Sequence, residues 1–273
     1  MMRALWTGAS GMHAQQTKVD TIGNNLANVN TTAFKRERLE FKSLLYQTLA
    51  RADLDPVNLM GTRPVNLQVG LGVRAAATSR NFERGNLQIT NIPLDFAIDG
   101  AGFFVVDLGD GTHAYTRDGS FSIATSGTTN FLVTNDGFHV LDTNAEHIII
   151  PEEFGMANIT VDHYGRFFGR NAENETEDLG IRFEIVQFPN PQGLEAIGNN
   201  LFIPTVSAGD PMLEIEGLVS RPSRIIQNAL EMSNVQVATE MVNLILAQRA
   251  YESNARIITT SDEMLQQANQ LKR

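Results

Sequence analysis

The chain of 273 residues is long enough for one large domain or two modest ones, and its 42% of hydrophobic residues can form a substantial core. It contains no cysteine, which excludes disulfide bonds, thiolate nucleophiles and cysteine-ligated metals. Its formal net charge of −10 argues against nucleic acid as the main partner, because phosphate binding requires clustered lysine and arginine.

The first predicted element is an amphipathic helix over residues 2–29. Apolar residues recur every three or four positions and form an imperfect heptad seam. Gly8, Gly11 and Gly23 weaken this helix, since each costs about 1 kcal/mol relative to alanine. We therefore expect the helix to order only by packing against another element.

The same N-terminal segment lacks the unbroken apolar stretch of a secretory signal. No part of the chain approaches the roughly 20 consecutive apolar residues of a membrane span. We expect a cytoplasmic protein, or one that is exported by a route without a cleavable signal.

A short second helical stretch is predicted over residues 34–49, with Phe34, Phe41 and Leu44 on its apolar face. The composition changes after residue 50, where prolines and glycines interrupt any helix. Between Val65 and Val73, apolar residues alternate with polar residues or glycine, which is the period of an extended strand or a β-ribbon. We interpret residues 46–75 as an extended arm.

Residues 76–222 are predicted to be rich in β-strands. Turn dipeptides of the Asp-Gly or Ser-Gly type begin at positions 110, 118, 126 and 136, a spacing of 8–10 residues. This rhythm favours an antiparallel sandwich or barrel.

The last predicted element is a helix from about residue 234 to 271, which would be on the order of 55 Å long. Mostly apolar residues recur along it at steps of four and three, and Ser233 or Asn234 is expected to cap its start. A pair made of this helix and the N-terminal one would leave apolar surface exposed. More copies of the chain are therefore needed to cover that surface.

The sequence offers no catalytic, cofactor or metal site. Asp107 and Asp110 lack the spacing of a calcium loop, and Gly100-Ala101-Gly102 lacks the third glycine of a dinucleotide-binding motif. The five histidines form no pair four residues apart. We expect no enzyme, no cofactor and no small-molecule substrate. One alternative from another class is a β-sandwich enzyme or binding domain with helical oligomerisation arms.

Two terminal motifs carry a resemblance to a known family. Residues 24–35 read NNLANVNTTAFK, and residues 233–252 contain SNV, then EMVN, then QRAYE. Both motifs, in these positions, resemble the signature of the bacterial flagellar rod, hook and hook-associated proteins. The signature residues are Asn24, Asn25, Asn28, Asn30, Phe34, Ser233, Asn234, Gln248, Arg249 and Tyr251. Ala33 departs from that signature, which usually has glycine there.

The resemblance extends along nearly the whole chain and, within the family, is most like the distal-rod type. It implies an α+β fold in which the two ends form one coiled-coil layer around a central antiparallel β-rich domain. The implied parts are an N-terminal helical half (1–45), a distal-rod-type arm (46–75), an outer β-rich domain (76–222) and a C-terminal helical half (223–273). The implied assembly residues are Leu5, Met12, Val19, Leu26, Val237, Met241, Leu244, Tyr251, Ile258 and Leu265.

The resemblance also implies a function and a location. Such subunits form a helical homopolymer that transmits torque and lines an export channel. Its neighbours would be proximal rod and hook subunits, the P-ring and L-ring, and the flagellar type III export apparatus, with no nucleic acid. The polymer would lie in the basal body and span the periplasm. The alternative inside the family is a proximal rod or hook subunit.

Overall fold

The computed structural model describes residues 2–50, 65–127, 129–151, 158–170, 176–214 and 221–271. The chain divides into two compact units. The first, which we call the helical unit, contains residues 1–27, 37–79 and 236–273. The second, the β-rich unit, contains residues 28–36 and 80–235. The predicted α+β class is therefore confirmed, while the four-part division of the chain stays a prediction.

The helical unit contains two long helices and short paired strands. Helix α1 spans Met2–Ala27 and helix α2 spans Val237–Gln270. The strands are β1 (Glu37–Ser43), β2 (Tyr46–Ala50), β3 (Leu67–Gly70) and β4 (Val73–Arg80). β1 pairs with β4, and β2 pairs antiparallel with β3. Neither helix, over its described length, is long and apolar enough to cross a membrane.

The helix predicted over residues 34–49 is wrong, because this stretch forms β1 and β2. In β1 the half-buried Leu39 and Phe41 alternate with the exposed Arg38 and Glu40. This two-residue period is the signal of a strand, and it outweighs the helix-like spacing of the larger apolar residues. Part of the predicted arm, residues 51–64, lies outside the described residues. Of the described remainder, residues 46–50 form β2, residues 67–70 form β3 and residues 73–75 begin β4.

The described part of the β-rich unit is built from short strands and includes a 3₁₀ turn at Pro191–Gly193. The strands are β5 (Leu87–Ile89), β6 (Phe96–Asp99), β7 (Phe103–Asp107), β8 (His113–Thr116), β9 (Phe121–Ser126), β10 (Thr129–Thr134), β11 (His139–Val140), β12 (Ile149–Ile150), β13 (Ile159–Val161), β14 (Arg166–Arg170), β15 (Thr176–Arg182), β16 (Ile185–Gln187), β17 (Glu195–Gly198), β18 (Leu201–Ile203), β19 (Met212–Leu213), β20 (Arg224–Gln227) and β21 (Ala229–Glu231).

Within the described ranges, the largest sheet has ten strands, with the central order β12-β10-β11-β7-β8-β18-β17. β16 and β9 pair with β7 and β10, and β19 pairs with β16. A second sheet has the order β13-β14-β15. The last two strands of the unit, β20 and β21, pair with its first two, β6 and β5 respectively. The strand pairings are antiparallel, as the regular turn signals predict.

Strand β7 separates two apolar clusters, because its side chains alternate between its faces. Phe104 and Val106 enter a cluster with Phe96 and other large side chains, whereas Phe103 and Val105 enter a second cluster. The Phe96 ring is fully buried and makes ring contacts with Phe121, Phe167 and Phe183 at centroid distances of 6.2, 6.3 and 5.0 Å. These aromatic rings form the centre of the β-rich unit.

Candidate functional site

The contact between α1 and α2 is built on small residues. A Cβ atom at Gly8 would lie 2.9 Å from Cγ1 of Ile258, and one at Gly11 would lie 2.8 Å from Nδ2 of Asn254. As α1 advances from Gly8 to Gly11, its partner on α2 moves back from 258 to 254, so the helices run antiparallel. The two glycines that weaken the isolated helix therefore permit its close approach to α2.

One of the ten predicted assembly residues, Ile258, takes part in this close contact. The ten differ in exposure. Seven are half-buried: Leu5, Met12, Val19, Leu26, Leu244, Ile258 and Leu265. Three on α2 remain 42–46% exposed: Val237, Met241 and Tyr251. On α1 the buried Gly11 and Asn25 each lie one residue before a predicted assembly residue, Met12 or Leu26. A seam chosen by apolar size includes Ile258 but misses Gly8 and Gly11, the small residues that face α2. The ten assembly roles stay predictions.

Large apolar side chains of both helices remain exposed in spite of the α1–α2 contact. On α2, Val242 and Leu246 are both 56% exposed, Ile257 is 47% exposed and Met264 is 46% exposed. Their separations of 4, 11 and 7 residues place them along one stripe of the helix, which we call the outer stripe. Trp6 on α1 is 74% exposed. Exposed apolar surface of this extent indicates a contact with another chain.

The ten signature residues are divided between the two units. Asn24, Asn25, Gln248, Arg249 and Tyr251 lie in the helical unit, and Asn28, Asn30, Phe34, Ser233 and Asn234 lie in the β-rich unit. Asn25 is buried, and its side-chain amide both donates to and accepts from the backbone of Glu37 at 2.8 Å. On α2 the three signature side chains are exposed. The helical unit therefore uses Asn25 to attach the end of α1 to β1.

The other half of the signature joins the two ends of the chain inside the β-rich unit. The Asn234 side chain accepts a hydrogen bond from the backbone of Arg36 at 2.8 Å and donates to the carbonyls of Asn81 and Glu83 at 2.8 and 3.0 Å. The expectation that Ser233 or Asn234 caps α2 is wrong: the N-cap is Gln236, which makes no side-chain capping bond. The Asn234 amide is instead occupied by these backbone groups.

Ala33 lies at the same junction in a left-handed conformation, with φ of 56°. Its backbone N–H donates to the carbonyl of Glu231 at 2.7 Å, which fixes this conformation. A left-handed alanine costs about 1–2 kcal/mol, and a change to glycine adds about 0.4–1 kcal/mol of unfolded-state entropy. We expect Ala33→Gly to raise the free energy of unfolding by up to about 1 kcal/mol. Urea unfolding of the unassembled chain measures the change, and a loss of stability would contradict it.

A buried charge network lies beneath the junction. Glu231 Oε1 accepts from Lys35 Nζ at 2.6 Å and from the Gly85 backbone at 2.8 Å, and Oε2 accepts from Arg117 Nε at 2.9 Å. The side chains of all three charged residues are at most 1% exposed. Arg117 also donates to the carbonyls of Gly102 and Gly100, both at 3.0 Å. Every charged group in this network therefore has an opposite charge and further hydrogen-bond partners.

The pKa values of Lys35 and Glu231 in this network are both lowered. Burial, followed by the positive charge of Arg117, lowers the pKa of Lys35 to about 8, although Glu231 opposes both effects. Burial alone would raise the pKa of Glu231, but the charges of Arg117 and Lys35 outweigh burial and hold that pKa below its usual range. The carboxylate of Glu231 is therefore held in its charged form, whereas Lys35 loses its proton more readily than an ordinary lysine.

Sequence spacing gave no reason to bring histidines together, yet the structure stacks His139 on His147 at a ring-centroid distance of 4.4 Å. His147 Nε2 lies 3.0 Å from a carboxylate oxygen of Asp107. Burial, with the neighbouring His147 next, lowers the pKa of His139. Among the described residues, no group of three or more His, Asp or Glu side chains is arranged to hold a metal ion. We interpret the stacked pair as packing within the sheet.

Glu184 predicts a measurable pH dependence. Burial, with the charge of Asp142 next, raises the pKa of this carboxyl group from 4.5 to about 7. The folded chain therefore holds this proton up to a higher pH than the unfolded chain, so stability falls as pH rises from 4.5 to 7. Glu184→Gln should leave the melting temperature unchanged near pH 4.5 and raise it by a few degrees above pH 7. An equal shift at both pH values would contradict this explanation.

Comparison with known families matches both ends and the middle of the chain. A model described as "Flagella basal body rod protein" matches residues 5–35. Models described as "Flagellar hook protein FlgE/F/G D1 domain" and "Flagellar basal body rod FlgEFG protein C-terminal" match residues 97–168 and 226–271. Together with the paired terminal helices, these matches define the class as the axial proteins of flagellar rods and hooks.

Relatives that match over the whole chain identify the family within this class. The chain is 50% identical over 274 residues to the flagellar basal-body rod protein FlgG of Borreliella burgdorferi, with all of both chains covered. It is 41% identical to the protein of the same description in Bacillus subtilis, again with all of both chains covered. It is 32% identical to the flagellar hook-basal body complex protein FlhP of Bacillus subtilis. The chain therefore belongs to the flagellar basal-body rod protein family, and the resemblance found in the sequence is confirmed.

Proposed function

We propose that this chain is the structural subunit of the distal rod, in which α1 and α2 form the inner coiled-coil layer of a tube. The observation that carries the proposal is the exposed outer stripe of α2 together with the exposed Trp6 of α1. Within one chain, α1 and α2 contact each other through Gly8 and Gly11, so their larger apolar side chains remain available to neighbouring copies. A repeated head-to-tail contact between copies that does not close into a ring produces a helical polymer.

The described part of the arm supports a second contact between copies. β2 and β3 form an isolated two-stranded ribbon, which has little stability of its own. Leu45, Tyr46, Leu49 and Leu67 on or beside this ribbon are 48–84% exposed. Burying these side chains against a neighbouring subunit would brace the tube along its length. A braced tube resists bending, which is the mechanical requirement of a shaft that transmits torque.

The other parts of the proposal rest on membership of the family. The polymer would join proximal rod and hook subunits and turn inside the P-ring and L-ring. Its subunits would leave through the flagellar type III export apparatus and line its channel, in a basal body that spans the periplasm. The role is structural and involves no catalysis, cofactor or nucleic acid.

Electron microscopy of the concentrated full-length chain tests this function. We expect straight tubes with a central channel. A variant with Leu45, Tyr46, Leu49 and Leu67 changed to serine should still form its α1–α2 pair but should yield curved or fragmented tubes. Straight tubes of unchanged stiffness would contradict the bracing role and favour a proximal rod assignment. A chain that remains monomeric at every concentration would contradict the structural role itself.

A further inference from the structure

We propose that Glu231, Lys35 and Arg117 form a clasp that folds two segments into the β-rich unit before any assembly. These segments, residues 28–36 and 232–235, carry the signature residues of that unit, and we call them the signature segments. The residues that follow α1 and those that precede α2 are then already folded in the free subunit. Only the helices themselves depend on contacts with neighbouring copies. The proposal concerns the unassembled chain, so its failure is distinguishable from failure of the rod assignment.

The first argument is the reach of Glu231. Its side chain binds Lys35, 196 residues away, and Arg117, 114 residues away. It also receives the N–H of Gly85, where a Cβ atom would lie only 1.8 Å from the carbonyl oxygen of Met232. Arg117 extends the contacts to the carbonyls of Gly100 and Gly102. The Glu231 carboxylate therefore links parts of the chain that are far apart in sequence. Gly85 allows the backbone at Met232 to approach closely.

The second argument concerns the backbone around the clasp. The N–H of Ala33 donates to the carbonyl of Glu231, and the N–H of Asn234 donates to the carbonyl of Phe34. Glu231 itself pairs with Leu87 in the β21–β5 ladder. All of these groups belong to the β-rich unit. The two signature segments are therefore held by the β-rich unit, which has aromatic clusters of its own.

The third argument is the charge balance, since one carboxylate faces two cations. Removing Glu231 leaves Lys35 and Arg117 buried beside each other, whereas removing Lys35 leaves a balanced Glu231–Arg117 pair. An uncompensated buried charge is strongly destabilising, while a replaced pair is not. A clasp therefore predicts that removing Lys35 restores part of the stability that is lost when Glu231 is removed. A role in packing alone predicts that the two losses add.

The test compares melting temperatures of four full-length chains at a concentration below assembly. We expect Glu231→Gln to lower the melting temperature by about 10 °C. The double variant Glu231→Gln with Lys35→Met should recover part of that loss. The matched control is Asp99→Asn, which removes the partner of Arg84 in an ion pair whose side chains are 44% and 43% exposed, and it should change little. A double variant no more stable than Glu231→Gln would overturn the clasp.

Limited trypsin digestion of the wild-type monomer gives an independent reading that needs no variant to fold. Cleavage should be fast after the exposed Arg249 and Arg256 of α2, and slow after the buried Lys35. In the Glu231→Gln chain the bond after Lys35 should become at least about tenfold more sensitive, as a loss of local stability above 1.4 kcal/mol requires. Equal cleavage rates after Lys35 and Arg249 in the wild-type monomer would overturn the proposal.

Discussion

Replacing both Gly8 and Gly11 by valine is expected to abolish assembly at concentrations where the wild-type chain polymerises. A Cβ atom at either position would enter the space of Ile258 or Asn254 on α2. Overpacking costs about 1–3 kcal/mol per site, so the threshold concentration should rise by more than about tenfold. Sedimentation across a concentration series measures the threshold, and circular dichroism measures the helix content.

Gly23→Val is the matched control, because a Cβ atom at Gly23 meets nothing within 4 Å in the described chain. It makes the same change of side chain in the same helix, and it replaces the residue least favourable to helix apart from proline. This control should assemble at or below the wild-type threshold. Equal loss of assembly in the control and the double variant would show that the close α1–α2 contact is not what matters.

Phe96→Ala should strongly destabilise the β-rich unit. The ring is fully buried among three other aromatic rings, and truncating such a residue costs about 3–5 kcal/mol. For a unit of this size, the melting temperature should fall by about 10 °C. Calorimetry of the unassembled chain provides the measurement. Tyr164→Ala, at a side chain that is 64% exposed, is the control and should melt within about 2 °C of wild type.

The sequence predicted the elements whose signal is local and repeated. The long helices follow from regular spacing of apolar residues, and the antiparallel strands follow from the Asp-Gly and Ser-Gly turns. Residues 37–43 were harder to predict, because the short alternation of Arg38-Leu39-Glu40-Phe41 competes with a helix-like spacing of Phe34, Phe41 and Leu44. In a segment of this length the two periods are difficult to separate.

The contacts that organise the candidate site could not be read from spacing. Lys35 and Glu231 are 196 residues apart, and a lysine within a polar signature gives no sign of burial. The pairing of α1 with α2 was predicted, but its close approach at Gly8 and Gly11 was not, since a search for large apolar residues passes over glycines. A glycine that weakens a helix and yet recurs at helical spacing is the signal that would have indicated a close helix contact.

Fluorescence of Trp6 tests the central claim that the outward face of the helices is buried by neighbouring copies. Trp6 is the single tryptophan of the chain and is 74% exposed in the isolated subunit. We expect its emission maximum to shift to shorter wavelength at the concentration where the chain begins to sediment as a polymer. A Trp6→Phe chain would supply the blank. Sedimenting polymer whose Trp6 emission stays at the wavelength of water-exposed indole would contradict the proposed inner layer.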